Sequence, residues 1–480
     1  MKTVIVLGAG PAGLAAAVAA REVGARVVLL DSADDMGGQY WRHAPATRSS
    51  LEKSPLQHDW STFEGLRERL VGDSLCEIVT SAHVWAIEGT KIFVMVGEPD
   101  GTNRDARVYN AAAVVMATGA YDRTLPVPGW DLPGVFTAGA AQAMAKGDGI
   151  AVGRRVAVSG AGPFLLPVAA SLVQVGSTVA GVYEASHITK MLRSWTARPW
   201  ELVGAIGKVS ELVGYASNHV RNRIPYVTGR AVTAIHGVDR VESVTVSAID
   251  RSWAPIVGTE KIVEVDAVCL SHGFTPRLEL PIAAGCLLNE RRFIEVDENQ
   301  RTSVAGVFAA GEITGIGGVD LALSEGTIAG HVAAGGKLSD QELRRYRGRR
   351  RTFSQFGARI EDAHGIGANW SHWLTDETTI CRCERVNFGR LCSVADVSQS
   401  SGLRSLKLLT RVGLGLCQGR VCGRTVEELL AKRVPGGQLV DGVISDRRPI
   451  AVPIRLGELA GPFTDLTDRD LIKPETKGIQ

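Results

Sequence analysis

An α/β fold is predicted, built of two strand–turn–helix–strand units and followed by a small helical module rich in cysteine. Three observations predict it. The turn Gly8-Ala-Gly10-Pro-Ala-Gly13 lies between an apolar strand at residues 3–7 and an Ala-rich helix over Leu14–Val23, and the next strand, Val27–Leu30, ends on Asp31. The plan recurs over residues 156–184, with a strand at Val156–Ser159, the turn Gly160-Ala-Gly162-Pro163-Phe-Leu165, a helix through Val173 and a strand, Thr178–Tyr183, that ends on Glu184. Five of the eight cysteines fall in the last quarter of the chain, in Cys381-Arg-Cys383, Cys392 and Cys417-Gln-Gly-Arg-Val-Cys422.

The composition bounds what such a chain can be. Its 480 residues suit about three domains, and 45% hydrophobic with 22% charged residues allows substantial cores. Fifty-three Lys and Arg against 51 Asp and Glu argue against a partner held by net charge, such as a nucleic acid or an anionic membrane. Eight cysteines in so long a chain are too few for a disulfide scaffold. Residues 3–20 and 156–183 carry no charge and resemble a signal peptide and a membrane span. Each contains a Gly-Ala-Gly-Pro turn, however, and reads as a buried parallel strand and its helix. A cytoplasmic protein is expected.

Between the two repeats, Ile92–Val96 and Val114–Met116 read as strands. The proline-rich loop 125–134 then marks a crossover into the second unit. The chain is expected to return to the first unit near residue 265, giving a first domain of residues 1–125 and 265–345 around a second of 126–264 with a helical, basic insert at 186–229. The arginines at 344, 345, 347, 349, 350 and 351 open a linker at 346–377, either a solvated helix end or a docking surface. The cysteine module spans 378–435 and a tail 436–480.

The first turn has dinucleotide chemistry. Gly8 allows the tight turn, Gly10 lets backbone approach a pyrophosphate, and Gly13 lets helix and strand close up. The helix start then offers unpaired N–H groups to phosphate, with Pro11 and Ala12 inside the loop, and Asp31 stands where an acid accepts ribose hydroxyls, followed by Ser32. In the second turn Leu165 replaces the third glycine, so the helix there must stand further out, and Gly160, Gly162, Pro163 and Glu184 hold either a second nucleotide or a retained scaffold. Four thiolates can bind a [2Fe–2S] cluster or zinc, and the single residue between Cys381 and Cys383 departs from the two to four usual in zinc pairs. Cys76, Cys269, Cys286 and Cys392 read as bystanders, and His272 receives no role.

Further strings narrow the first nucleotide to FAD. Gly37-Gly38-Gln39-Tyr-Trp-Arg42, Val115-Met-Ala117-Thr118-Gly119 and Gly311-Glu312-Ile-Thr-Gly-Ile-Gly-Gly318-Val resemble the two-dinucleotide-domain flavoproteins of the disulfide reductase superfamily over residues 1–340. That resemblance implies two Rossmann-like domains, places Val84 and the residues just named around FAD, and puts Gly311 and Glu312 along its ribityl–pyrophosphate chain. Glu312 stands where the superfamily has Asp, and the redox-active Cys-x-x-Cys is missing, which rejects disulfide reduction.

The late cysteine words resemble a bacterioferritin-associated-ferredoxin-like [2Fe–2S] domain, with Cys381, Cys383, Cys417 and Cys422 as ligands. Taken whole, the chain resembles the α subunits of heteromeric amine and amino-acid dehydrogenases, namely opine oxidase, hydrogen cyanide synthase and dye-linked proline dehydrogenase, with sarcosine oxidase more distant. The resemblance implies electron relay through FAD and the cluster from a β subunit that carries its own flavin and the C–N-oxidising site. In some relatives an FMN sits at the subunit interface, and in some a second nucleotide, NAD(P) or ATP, occupies the second domain. Some carry an N-terminal ferredoxin-like extension; with the first strand here at about Thr3, a separate small γ chain is expected. No catalytic triad or carboxylate pair is present, so no residue is assigned a catalytic role. The competing reading is a stand-alone NAD(P)H-dependent flavin or ferredoxin oxidoreductase.

Overall fold

The computed structural model describes residues 1–44, 57–197, 204, 207–437, 439, 448 and 450–466. The chain forms two compact units: Met1–Ala120 with Pro276–Gly357 and Arg447–Gln480, and Tyr121–Thr275 with Ala358–Asp446.

In the first unit a five-stranded parallel sheet runs in the order Val307–Ala309, Ala113–Met116, Thr3–Leu7, Arg26–Leu30, Cys76–Val79. Thr3–Leu7 and Arg26–Leu30 are buried along their whole length, as continuously apolar runs between helical layers require. Helix Pro11–Glu22 is Ala-rich because helix Gly318–Ala334 lies hard against it. A Cβ on Gly326 or Gly330 would come within 2.0 Å of the carbonyls of Ala12 and Ala16 respectively, so only glycine allows the approach. A second sheet of Ala82–Glu88, Lys91–Val96 and Asp105–Asn110 takes Thr464–Leu466 as its fourth strand. The predicted tail is therefore part of this unit, held by Arg104, which donates to both oxygens of Glu458 at 2.8 and 2.6 Å, and by Phe463 against Trp85.

The second unit has its own five-stranded parallel sheet, ordered Tyr226–Thr228, Thr178–Glu184, Arg155–Gly160, Ala267–Ser271, Val135–Thr137, beside a three-stranded antiparallel sheet. Ala267–Ser271 pairs with Arg155–Gly160, so the chain leaves this unit near residue 275 and not near 265. One hydrophobic core joins Trp130, Val232, Trp253 and Leu270 to Trp373, Ile380, Leu391, Leu406 and Val426. The cysteine module is thus continuous with the second nucleotide-type unit. Trp253 stacks on Trp373 at 5.9 Å and accepts its indole N–H at 2.7 Å.

The arginine-rich stretch is not a linker but the start of a 21-residue helix, Arg344–His364. Its guanidinium groups are used within the chain: Arg349 pairs with Asp320, and Arg350 donates to the carbonyl of Glu298 at 2.9 Å. The insert is helical over Ile188–Thr196 and Gly207–Arg221.

Candidate functional site

Three glycine turns of the first unit meet around the start of helix Pro11–Glu22. Gly8, at φ +104°, brings its Cα so close to Ala117 that a Cβ would sit 2.4 Å from that carbonyl oxygen. Gly10 faces Gly38, where a Cβ would lie 2.8 Å from the Gly10 Cα, and Gly37 donates to the Ala9 carbonyl at 2.8 Å. Gly311 abuts Ala12, and its amide donates to Glu325 at 2.9 Å. The first intrahelical bond runs from Leu14 N–H to Gly10 O, so among the described residues the amides of Gly10, Ala12 and Gly13 have no acceptor. Such a bare cradle of backbone donors suits a pyrophosphate.

Asp31 closes this cradle by accepting from the amides of Ala9 at 2.5 Å and Ala33 at 2.8 Å. Burial pushes its carboxyl above the ordinary range, against the pull of those amides and of Arg277 and Arg42. The Nε of Arg42 is buried with no acceptor among the described residues, an orphaned donor that suits a phosphate or a ribose oxygen. Ser32 and Gln39 are exposed, Glu312 is half-buried beside Gly311, and Val84 lies in the core beneath the sheet. Thr118 donates to the Arg277 carbonyl at 3.1 Å, Gly119 accepts from the Arg277 amide at 3.0 Å, and Gly318 opens the last helix at φ +77°. Glu325, which the sequence did not single out, ties Gly311 and Thr314 together from full burial. A carboxylate inside an apolar helix was its only sequence signal.

The second turn is built differently. Its helix begins at Leu165, two residues later in the motif than Pro11 does in the first, because Leu165 fills the position where Gly13 lies 1.7 Å (as a hypothetical Cβ) from the Gly8 carbonyl. Gly160 is still required, since a Cβ there would meet the Ser271 carbonyl at 1.5 Å, whereas around Gly162 there is open space. The expected ribose role of Glu184 is corrected by its surroundings. It is 0% exposed; its oxygens accept from the amides of Gly162 and Ser186, both at 2.9 Å, and from the Tyr226 hydroxyl at 3.3 Å, with His364 Nδ1 at 3.5 Å. Pro163 begins a turn whose carbonyl takes the Leu166 amide.

The four predicted cysteines line one cavity of about 130 Å³ together with Asp122, Thr124, Trp130, Thr137, Arg382 and Val421. The Cys381 and Cys422 thiols hydrogen-bond each other, as do those of Cys383 and Cys417. Cys381 and Cys422 are buried, Cys417 is half-buried and Cys383 is exposed. The Cys422 thiol and the amides of Gly413, Glu384 and Cys383 draw the Cys381 thiol down to about 6, while Cys422 is pushed up. Gly415 is obligatory, because a Cβ would lie 2.3 Å from that of Cys383. In this paired arrangement no group of three or more His, Cys, Asp or Glu side chains among the described residues is set to hold a metal ion. The donor set nonetheless fits a [2Fe–2S] cluster: four thiols in two pairs, with backbone amides directed at sulfur. Cys392 lies apart in helix Phe388–Ser398, and Cys76, Cys269 and Cys286 are isolated, with burial raising each thiol. His272 is fully buried and accepts the Leu125 amide at 3.2 Å.

Comparison with known proteins agrees with these features. Residues 2–326 match the pyridine nucleotide-disulphide oxidoreductase family. The opine oxidase A-type subunit of Rhizobium meliloti is 32% identical over 487 residues, 95% of this chain and 87% of that protein. Hydrogen cyanide synthase subunit HcnB of Pseudomonas protegens is 28% identical, covering 87% of this chain and 89% of the relative. The crystal structure of L-proline dehydrogenase from P. horikoshii superposes with a TM-score of 0.64 at 22% identity, over 96% of this chain and 79% of that one, and shares the fold. This chain belongs to the pyridine nucleotide-disulphide oxidoreductase family and, within it, to the A-type subunits of opine oxidase.

Proposed function

We propose that this chain is the electron-relaying α subunit of a heteromeric amino-acid, opine or secondary-amine dehydrogenase. Family membership implies FAD, and the cradle of Gly8, Gly10, Gly13, Gly38, Ala117 and Gly311 with Asp31 would hold it. A [2Fe–2S] cluster on Cys381, Cys383, Cys417 and Cys422 is the second carrier. A flavin supplies two-electron uptake with one-electron release, which matches it to a one-electron cluster.

The cysteine cavity carries this reading, because neither a simple flavin reductase nor a scaffold needs four thiols gathered beside an exposed edge. The bare amides at the start of helix Pro11–Glu22 would take the pyrophosphate, and Asp31 the adenosine ribose. A β subunit with its own flavin would oxidise the C–N bond, joined by a small ferredoxin-like chain and, in some arrangements, an interfacial FMN. The second unit then serves as scaffold, since Glu184 has no oxygen to offer a ribose. That weighs against the stand-alone NAD(P)H-dependent oxidoreductase. No helix among the described residues is long and apolar enough to cross a membrane, in keeping with a cytoplasmic complex.

The test is purification of the native complex, with metal analysis, a visible spectrum and release of flavin by boiling. Brown protein containing two irons per chain and co-purifying with an amine-oxidising partner is expected. Zinc in place of iron, or full amine dehydrogenase activity in this polypeptide alone, overturns the proposal.

A further inference from the structure

The wall of the cysteine cavity is not made by the cysteine module alone. Asp122, Thr124, Trp130 and Thr137 reach it from the nucleotide-type part of the same unit. Thr124 is only 7% exposed, and its hydroxyl is buried with no hydrogen-bond partner among the described residues. Leaving a buried hydroxyl unsatisfied costs about 1–3 kcal/mol, so a fold keeps one where something is to be bound.

The segment carrying Thr124 has little freedom. Arg123 donates its amide to Gly273 O at 2.9 Å and accepts the His272 amide at 2.7 Å, and the Leu125 amide donates to His272 Nδ1. The Arg123 guanidinium donates to Glu428 at 2.5 Å, on the helix that begins immediately after Cys422. Thr124 is therefore held on both sides and is clamped to the same helix that presents a cysteine. Across the cavity the available atoms are sulfurs, which accept hydrogen bonds but, as ligands, donate none.

We propose that the Thr124 hydroxyl donates a hydrogen bond to a sulfur of the four-cysteine centre and so raises the potential at which that centre takes up an electron. The proposal rests on the iron–sulfur reading given above. A donor aimed at sulfur stabilises the more negative, reduced state, and hydrogen bonds to sulfur are among the determinants of cluster potential. Thr124 is a positioning and tuning residue in this scheme, and exchanges no proton with substrate.

The experiment compares the full-length wild type with Thr124→Val, Thr124→Ala and Thr124→Ser. Iron content is measured first, and the midpoint is then read by redox titration followed by electron paramagnetic resonance. Val and Ala are expected to keep the iron but to lower the midpoint, reducing the ratio of reduced to oxidised centre at the wild-type midpoint by about fivefold, the equivalent of one ordinary hydrogen bond. Ser is expected to restore it. In deuterated buffer, pulsed resonance of the reduced wild type should show an exchangeable proton coupling that Val and Ala lack, a readout that needs only one stable variant. Iron-loaded variants with an unmoved midpoint, or a Ser variant that behaves as Val, overturn the role of the hydroxyl alone. Absence of iron from the wild type overturns the cluster reading itself, and the two failures are thereby told apart.

Discussion

The two fingerprint turns share a plan and differ in what they leave open. Each sets a glycine loop after a parallel strand and ends its second strand on an acid that reaches back to the loop: Asp31 to the Ala9 amide, Glu184 to the Gly162 amide. In the first, the acid is half-exposed and the helix begins at Pro11 with its leading amides bare. In the second, the acid is fully buried under Tyr226 and His364, and the helix start is drawn back and packed with Leu165. The same hydrogen bond thus closes a ligand cradle in one unit and part of a core in the other. A fingerprint is a binding site only while its donors and its acid remain unspent.

The strongest challenge to this contrast is to give the first turn the second's residue. Gly13→Leu places carbon 1.7 Å from the Gly8 carbonyl, and is expected to abolish flavin retention and to cost more than about 3 kcal/mol, the upper end for overpacking. Flavin released on boiling and a urea titration read both. Exchanging the acids should separate structure from binding. Glu184→Ala strands the Gly162 and Ser186 amides and the Tyr226 hydroxyl in a dry interior, at about 3–5 kcal/mol with the flavin kept. Asp31→Ala leaves amides that water can reach, at about 1–2 kcal/mol, but the flavin is lost. Equal losses of stability with equal flavin content would erase the distinction.

Acid should distinguish the units next. Burial, and then the charge of Arg123, hold His272 down to about 3 in the folded second unit, against 6.5 as its ordinary value. The unfolded chain therefore binds the proton first, and the contribution present above pH 6.5 is lost as pH falls toward 3. Between pH 6.5 and 5 this amounts to about 2 kcal/mol, measurable as a lower urea midpoint that His272→Asn flattens. Asp31 and Glu325 in the first unit are shifted upward, chiefly by burial, so their contribution has the opposite sense and is lost as pH rises through their folded values. The smallest expected effect is none at all: anaerobic NADH or NADPH should leave the flavin absorbance unchanged. Rapid bleaching would show the second site to be open after all.

Much of this was legible in the chain because it is local. Glycines 8, 10, 13, 38 and 311 are spaced by what a turn and a pyrophosphate demand, and the cysteines were identifiable as a set because one-residue and four-residue spacings put thiols side by side. The residues that the sequence left unmarked act across long separations. Thr124 and Asp122 border a cavity whose cysteines lie some 250–300 residues away, Glu325 secures Gly311 from inside a helix, and His364 reaches Glu184 from the far end of an arginine-rich segment. None of these has a neighbouring residue that would mark it. The arginines themselves looked like a solvated run, yet Arg349 and Arg350 have partners at Asp320 and Glu298.

By itself the sequence determined the two βαβ units, the identity of the flavin-binding turn and the four thiols, since each depends on the sterics and spacing of residues close together in the chain. Tertiary structure alone decided that Glu184 is spent, that the cysteine module and the second unit share one core, and that the tail supplies a strand to the first unit. Those outcomes rest on which buried surfaces and unsatisfied donors meet once the chain has folded, and separation along the chain carries no information about that.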